Sequence, residues 1–150
     1  MPTVAPTPAA TQAPNALVAP DVERLDAPEL AELLQSSGSS TVVVIDVRDP
    51  GTDGGFIRHA LSVPKVKFDS DDFVDAFIRE HAGDELLVFH CLNSNGRGPT
   101  AAGRVHDRIP KVLKDADAKP VVKVLRGGFK VFFEQYGDNE SFVDPSALPL

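Results

Sequence analysis

Residues 85–99 of the 150-residue chain read ELLVFHCLNSNGRGP, and this stretch decides the fold. Its first part, Glu85–Phe89, is mostly apolar and predicts a strand that is buried on both faces. The polar, glycine-containing segment after Cys91 predicts a loop, and Pro99 begins a helical pattern that continues to about Leu113. A strand, a short loop and a helix in this order are typical of a parallel crossover, so the stretch predicts an α/β domain.

The sequence on both sides of this stretch repeats the same alternation. Two further apolar, β-branched runs predict strands, Thr41–Val47 and Val121–Leu125. Apolar residues at helical spacing predict three more helices, one beginning at the Asp26 cap, one over Asp69–His81 and one over Phe129–Tyr136. Because strands that alternate with helices are joined by parallel crossovers, we expect an open parallel sheet with helices on both faces.

Residues 1–20 form a separate compositional segment. Ala, Pro and Thr supply 14 of these 20 residues, and the first charged residue is Asp21. The segment lacks the apolar bulk that would offset the cost of ordering its backbone. We therefore predict a flexible tail over residues 1–20 and one domain over residues 21–150. The tail has neither a positive start with an unbroken apolar run nor an arginine before Arg24, so we expect no secretory or transit signal and a cytoplasmic or nuclear location.

The composition excludes several classes of protein. The 15 Lys and Arg residues against 22 Asp and Glu give a formal net charge of −7. This excess of acids argues against a nucleic-acid partner, because phosphate backbones are held by clustered cations. No run approaches the ~20 apolar residues of a membrane span. The single cysteine excludes an intrachain disulfide. We expect neither a nucleic-acid nor a membrane partner.

The charge is unevenly distributed along the chain. Residues 97–130 hold nine cations and three acids, a net charge of +6, so the remainder carries −13. A cationic segment that begins at Arg97 would draw anions toward the loop while the whole chain stays acidic. The alternative for this segment is an ordinary solvated helix face.

The loop between Cys91 and Arg97 has the parts of a site for a tetrahedral oxyanion. Backbone N–H groups in a tight loop before a helix form an anion receptor, and Arg97 adds a planar fork of donors. The same positive environment favours the Cys91 thiolate, a nucleophile aimed at the bound central atom. We predict Cys91 and Arg97 as catalytic residues; the alternative for Cys91 is an inert buried thiol. The predicted substrate-binding residues are Leu92, Asn93, Ser94, Asn95, Gly96 and Arg126.

Three polar residues at the strand ends are predicted to support the loop rather than to react. Asp46 and Arg48 close a strand as Asp-Val-Arg, where an Asp accepts backbone hydrogen bonds from a neighbouring loop. His90 precedes the nucleophile, and alternation along the strand places it on the face opposite to Cys91. Ser94 is expected to bond either the thiolate or its own loop. The other histidines lack metal-ligand spacing with the lone cysteine, so no metal is expected.

The string His90-Cys91-x5-Arg97-Gly-Pro resembles the active-site loop of the M-phase inducer phosphatases and of the eukaryotic arsenate reductases, which share the rhodanese-like fold. Two other segments, Ile45–Arg48 and Val124–Lys130, resemble the second-strand region and the last strand and helix of that family. The resemblance therefore spans about residues 40–137. It is strongest to small single-domain fungal phosphatases, and it implies a hydrolase that passes through a phosphocysteine.

The resemblance leaves the reaction open. The favoured hypothesis is a cysteine-dependent phosphatase of the tyrosine or dual-specificity type, with a phosphorylated protein or a small oxyanion as substrate. The alternative is an arsenate reductase, which with one cysteine would need external glutathione and a glutaredoxin-like partner. Neither hypothesis requires a bound cofactor. A non-catalytic phosphate-binding module and a sulfurtransferase rank lower, since sulfurtransferases of this fold usually have a loop one residue shorter.

One departure from the resembling phosphatases affects the expected substrate. These enzymes often carry a glutamate, suggested as the proton donor, where this chain has Gly96. None of residues 92–96 is acidic, so the loop offers no general acid. We therefore expect aryl phosphates, whose leaving groups depart unaided, to turn over faster than alkyl phosphates.

Overall fold

The computed structural model of the protein describes residues 18–36 and 41–149. Most of the tail predicted over residues 1–20 lies outside the described residues, so that prediction stays a prediction. Its described end is attached to the domain. The Arg24 guanidinium donates to the carbonyl oxygens of Val18 and Ala19 at 2.5 and 2.7 Å, and Ala19 packs against the core.

Seven strands are present among the described residues: β1 Glu23–Leu25, β2 Val42–Asp46, β3 Phe56–Ile57, β4 Leu61–Ser62, β5 Leu86–His90, β6 Val121–Leu125 and β7 Val143–Asp144. Five of them form one sheet in the order β1-β6-β5-β2-β4, and every pairing in it is parallel. The two remaining strands, β3 and β7, pair antiparallel as a small separate ribbon. β5 lies at the centre of the large sheet, between β6 and β2.

Four α-helices of the described residues cover the sheet: α1 Ala27–Gln35, α2 Asp71–Glu80, α3 Arg97–Val112 and α4 Gly128–Tyr136. Helices α2 and α3 pack on one face, where Phe77, Phe89 and Val105 are buried together. Helices α1 and α4 pack on the other, with Leu30 and Phe132. The predicted α/β fold with helices on both faces of a parallel sheet is confirmed. None of these helices is both long and apolar enough to cross a bilayer.

The shortest strands escaped the sequence prediction. β1, β3, β4 and β7 have two or three residues each, too few for a readable alternation, and distant partners hold them, as Lys123 holds Glu23. The helix ends also differ from the prediction. Helix α3 begins at Arg97 rather than Pro99, and Pro110 lies inside its last turn. Pro110 has no N–H to donate to the His106 carbonyl, and the helix ends two residues later, at Val112.

The parallel sheet brings three chain segments together. Strands β2, β5 and β6 end at Asp46, His90 and Leu125, and parallel strands end along the same edge of the sheet. The segments that follow these strands therefore meet at that carboxyl edge, where open α/β sheets bind ligands. Cys91 follows the central strand of the three.

Candidate active site

Cys91 lies between the end of β5 and the loop of residues 92–96. Its side chain is buried, and its Sγ accepts a hydrogen bond from the Gly98 N–H at 3.3 Å. The first turn of a 16-residue helix thus points at the sulfur, so the positive end of the helix dipole lies beside it. A Cβ on Gly98 would lie 3.1 Å from backbone atoms of His90 and Cys91. The glycine is what allows α3 to begin this close to the strand end.

The loop carries a row of unpaired backbone donors. None of the N–H groups of residues 92–97 donates a hydrogen bond to another described residue. Ser94, in the middle of the loop, has a φ of +56°, a left-handed conformation that turns the backbone sharply. Successive N–H groups on either side of such a residue form a concave nest that binds anions. The loop can therefore hold a tetrahedral oxyanion through its backbone.

Arg97 is free to bind that anion, whereas four of the eight cations that follow it, up to Lys130, pair with carboxylates. It is exposed, and no ion pair or hydrogen bond joins its guanidinium to another described residue. By contrast, Arg104 and Arg108 on the same helix pair with carboxylates of α2, Asp71 and Asp75. Much of the net charge of residues 97–130 is thus neutralised locally. The prediction that the whole cationic segment draws anions to the loop is therefore wrong for these paired cations.

Helix α4 fixes the other side of the loop. The Phe129 N–H donates to the Cys91 carbonyl at 3.0 Å, and the Lys130 N–H donates to the Leu92 carbonyl at 2.9 Å. This close approach requires Gly128, which has a φ of +64° and whose Cβ would overlap the Leu92 carbonyl oxygen. The first turn of α4 therefore holds the backbone of Cys91 and Leu92 directly.

Asp46, Arg48 and His90 form a buried polar cluster beneath the loop. The Arg48 guanidinium donates to both carboxylate oxygens of Asp46, the shorter bond at 2.7 Å, and to the Gly55 carbonyl at 3.0 Å. Its Cζ lies 4.5 Å from the centre of the Phe129 ring. His90 Nδ1 lies 3.0 Å from the Cys91 carbonyl oxygen. The cluster thus joins the segments that follow β2 and β5 to the start of α4.

The protonation states of this cluster follow from burial and charge. Burial lowers the pKa of His90, although the neighbouring Asp46 carboxylate and the Cys91 carbonyl oppose that effect. Burial raises the pKa of Asp46, but the charges of His90 and Arg48 and the hydrogen bonds from Arg48 outweigh it and hold that pKa below its usual range. His90 is therefore neutral near pH 7 and donates Nδ1–H to Cys91. Its Nε2, 3.7 Å from the Asp46 carboxylate, has no hydrogen-bond partner among the described residues.

The structure places Arg126 at the mouth of a cavity beside the loop. Its Nη1 donates to the Asp26 carboxylate at 2.6 Å, and both side chains are at least half exposed. Arg126 lines a cavity of about 370 Å³ together with the loop residues Ser94 and Asn95 and with Arg24. Ser94 is buried, and its Oγ bonds neither Cys91 nor any other described residue. Both alternatives weighed for that hydroxyl are therefore wrong.

A shallower apolar groove lies on the α4 side of the loop. Leu92 and Phe133, each more than two-fifths exposed, line a cavity of about 330 Å³ there. Asp53, at the end of the segment that follows β2, lies at the rim of the same groove. Such a surface suits the apolar or aromatic part of a molecule whose anionic group is held by the loop.

Most of the predicted site residues lie at the carboxyl edge, and some site residues were not predicted. Sequence reasoning did not single out Arg24, Gly128 or Phe129 as parts of the site, and it quoted Gly98 only within the motif. Nothing in the sequence around Arg24 indicates a site, because β1 itself is too short to read. Within the described residues, no group of three or more His, Cys, Asp or Glu side chains is arranged to hold a metal ion.

Known proteins resemble this chain over most of its length. The dual specificity phosphatase ibp1 of Schizosaccharomyces pombe is 27% identical over 120 residues, covering 69% of this chain and 83% of the relative. Among solved structures, the yeast protein tyrosine phosphatase Ygr203w, of the rhodanese family, superposes with a TM-score of 0.70 at 25% identity, covering 83% of this chain and 93% of its own. The As-Sb reductase of Leishmania major superposes with a TM-score of 0.67 at 33% identity, and the match covers 79% of this chain and 81% of the reductase.

These similarities confirm the expected resemblance to phosphatases and arsenate reductases of one fold, and they indicate an enzyme. They include both chemistries, so they do not distinguish between the two. The model of the rhodanese-like domain family matches residues 26–135, a range that contains the whole carboxyl edge and the Cys91 loop. The chain belongs to the rhodanese-like domain family.

Proposed function

We propose that the chain is a cysteine-dependent phosphatase that hydrolyses phosphate monoesters, aryl phosphates above all. The observation that carries the proposal is the row of N–H groups over residues 92–97 that donate to no described residue, in the loop that follows Cys91 and ends at the exposed Arg97. Three equatorial phosphoryl oxygens need several hydrogen-bond donors at once. This loop supplies them, and no hydrogen bond to another described residue has to break first.

The reaction has two displacement steps. The Cys91 thiolate attacks phosphorus, the bond from phosphorus to the ester oxygen breaks, and the alcohol or phenol leaves with a proton from solvent. Water then attacks the phosphocysteine, the P–S bond breaks, inorganic phosphate leaves and the thiolate is restored. Gly98 N–H and the first turn of α3 stabilise the thiolate before and after turnover. The loop N–H groups and Arg97 hold the oxygens on which charge develops.

The leaving group sets the substrate preference. The loop has no acid to protonate a departing alkoxide, and a phenolate needs no such help. The exposed Leu92 and Phe133 offer an apolar surface on which an aromatic ring can lie. Both features support an aryl phosphate such as phosphotyrosine, within a protein or free.

The test is hydrolysis of p-nitrophenyl phosphate and of glycerol 2-phosphate by the full chain. We expect hydrolysis of the aryl ester, complete loss in Cys91→Ser and a loss of ~10²–10³ in Arg97→Ala. Arg79→Ala serves as the matched control, because it removes an exposed cation at the far end of α2. Inactive wild-type protein would refute the proposal, and equal kcat/KM values for the two esters would refute the argument about the missing acid.

The second candidate is arsenate reduction, which the similarity to the Leishmania As-Sb reductase favours. Arsenate is also a tetrahedral oxyanion, so the same donors suit it. The Cys91 thiolate would add to As(V) with loss of water. Glutathione would then attack the sulfur, giving a mixed disulfide on Cys91 and arsenite, and a glutaredoxin would reduce that disulfide. Consumption of glutathione that depends on arsenate and Cys91, with no hydrolysis of p-nitrophenyl phosphate, would replace the first proposal with this one.

A further inference from the structure

The cavity beside the loop is lined by two arginines, Arg24 and Arg126. Arg24 of β1 pairs in register with Val124 of β6, and Arg126 lies two residues beyond Val124. Register partners in a parallel pair share a face, so the Arg24 side chain lies with Val124 on the face of the sheet that α3 covers. Ser94 and Asn95 of the loop line the same cavity. The cavity therefore adjoins the loop that carries the unpaired N–H groups.

Both guanidinium groups keep donors that nothing in the described part of the chain uses. Arg24 donates through Nη1 to the Ala19 and Val22 carbonyls and through Nη2 to the Val18 carbonyl. Its Nε–H and one Nη2–H are left over, since a guanidinium has five N–H groups. Arg126 uses a single N–H on Asp26. No carboxylate of the described residues lies within ion-pair distance of Arg24, and residues 1–17 and 37–40 contain no Asp or Glu.

The two guanidinium charges of the cavity repel each other. Burial lowers the pKa of the Arg24 guanidinium, and the charge of Arg126 lowers it further. Glu23 also lines the cavity, but its carboxylate pairs with Lys123 at 3.1 Å. The bond between Arg126 and Asp26 joins two largely exposed side chains, and such surface pairs contribute little to stability, so they exchange partners readily. A ligand anion can therefore recruit Arg126 while Arg24 stays fixed.

We propose that Arg24 and Arg126 bind a second anionic group, a carboxylate or a phosphate, of the molecule whose first oxyanion is held by the Cys91 loop. The inference rests on the proposed function and deepens it: the preferred substrate is a phosphoester with an acidic group close to the scissile phosphate. Two anions on one molecule bind with a high effective concentration, because the first holds the second beside its site. In the arsenate reaction, the same arginines would bind a carboxylate of glutathione.

Phosphotyrosine peptides that differ in one neighbouring residue test the site. At each of the four positions nearest to the phosphotyrosine, a glutamate peptide is compared with the matching glutamine peptide. We expect kcat/KM for the glutamate peptide to exceed that for the glutamine peptide by about tenfold at one position or more, as a charge-assisted hydrogen bond supplies. The charge reversal Arg126→Glu removes or inverts this ratio, and Arg79→Ala leaves it unchanged. Ratios within about twofold at all positions would overturn the inference.

The arms of the experiment separate the second site from the reaction itself. If p-nitrophenyl phosphate is hydrolysed but the peptide pairs show no preference for glutamate, the phosphatase proposal stands and the second anion site is rejected. If neither peptide is hydrolysed, calorimetric binding of the same pairs to Cys91→Ser decides: a glutamate preference that Arg126→Glu abolishes supports the site, and equal affinities reject it. For arsenate reduction, glutathione is compared with its diethyl ester. A higher KM for glutathione alone in Arg126→Glu assigns the anion to the reductant.

Discussion

Replacing Gly98 with alanine moves the start of α3 and removes none of the side chains of the site, so it tests what the position of that helix start contributes. The new Cβ would lie 3.1 Å from the Cys91 nitrogen and from two backbone atoms of His90. Ordinary van der Waals contact begins near 3.4 Å, so the helix start must retreat by about 0.3 Å from the strand end. None of the three neighbours is a flexible side chain, so the helix itself has to move.

Two effects on stability oppose each other in this variant. Overpacking of this kind costs about 1–3 kcal/mol. Alanine recovers about 1 kcal/mol, because it favours a helix more than glycine does. The net destabilisation is therefore about 1 kcal/mol, which lowers Tm by about 2–4 °C in a chain of this size. The same retreat stretches the bond from Gly98 N–H to Cys91 Sγ from 3.3 Å toward about 3.6 Å, and the thiolate loses part of its stabilisation.

Thermal unfolding and alkylation of Cys91 by iodoacetamide at pH 7 measure the two effects. We expect alkylation to slow by about twofold to fivefold, the equivalent of the 0.3–1 kcal/mol of one helix-terminus interaction. Gly83→Ala is the control, because its Cβ meets nothing within 4 Å and Gly83 lies at the opposite end of β5. If Gly98→Ala and Gly83→Ala unfold at the same temperature and react at the same rate, the helix start does not control the thiolate.

Three further predictions concern the support of the loop. Arg48→Met leaves the Asp46 carboxylate buried without its partner and lowers the free energy of unfolding in urea by about 3–5 kcal/mol. We expect a smaller loss in the double variant Asp46→Leu/Arg48→Met, because no unpaired charge is left buried there. Equal losses in the two variants would contradict this account. Burial lowers the pKa of His90 below its ordinary 6.5, so the unfolded chain binds a proton that the folded chain does not. Stability therefore falls as pH drops below about 6.5, by up to about 1.4 kcal/mol per unit, and His90→Leu flattens that slope in urea titrations between pH 7 and 5. Gly128→Ala places an alanine at a positive φ and brings its Cβ into the Leu92 carbonyl, so we expect it to lower the free energy of unfolding by more than about 2 kcal/mol in the same assay. A smaller loss than in Gly98→Ala would refute the close approach of α4.

The central architecture could be predicted because its signals are local. The runs Thr41–Val47 and Val121–Leu125 appear in the sequence as nearly continuous apolar segments, and their inner residues bury side chains on both faces of the sheet, as Val44 and Ile45 do. Helix spacing located α2, α3 and α4 to within two residues of their observed bounds. The Cys91 loop could be found for the same reason, since the strand, the loop and the helix are consecutive in the chain.

The environment of the loop could not be predicted, because it is assembled from distant segments. The second arginine of the anion cavity lies on β1, a three-residue strand with no pattern of its own, 67 residues before Cys91 in the numbering. Local charge was also a poor guide. Arg104 and Arg108 counted toward the cationic segment, but their partners on α2 became visible only once the two helices were packed together.

The buried cluster of Asp46, Arg48 and His90 is hard to explain as a source of stability. Replacing a buried ion pair with well-packed apolar residues is often neutral or stabilising, since removing two charges from water costs about as much as their attraction returns. What the cluster does provide is a fixed orientation of the chain segments around the loop. A single guanidinium holds the Asp46 carboxylate after β2, the Gly55 carbonyl and the face of Phe129.

The N–H of that same Phe129 and the ring of His90 both bond the Cys91 carbonyl. An apolar core would pack these segments against one another without fixing their rotation, whereas directed hydrogen bonds fix both distance and angle. The nest of N–H groups binds an anion only if the backbone on both sides of Cys91 keeps one orientation. We infer that the cluster is maintained for the geometry of the loop, so that in Arg48→Met/Asp46→Leu the loss of phosphate affinity should exceed what its loss of stability explains.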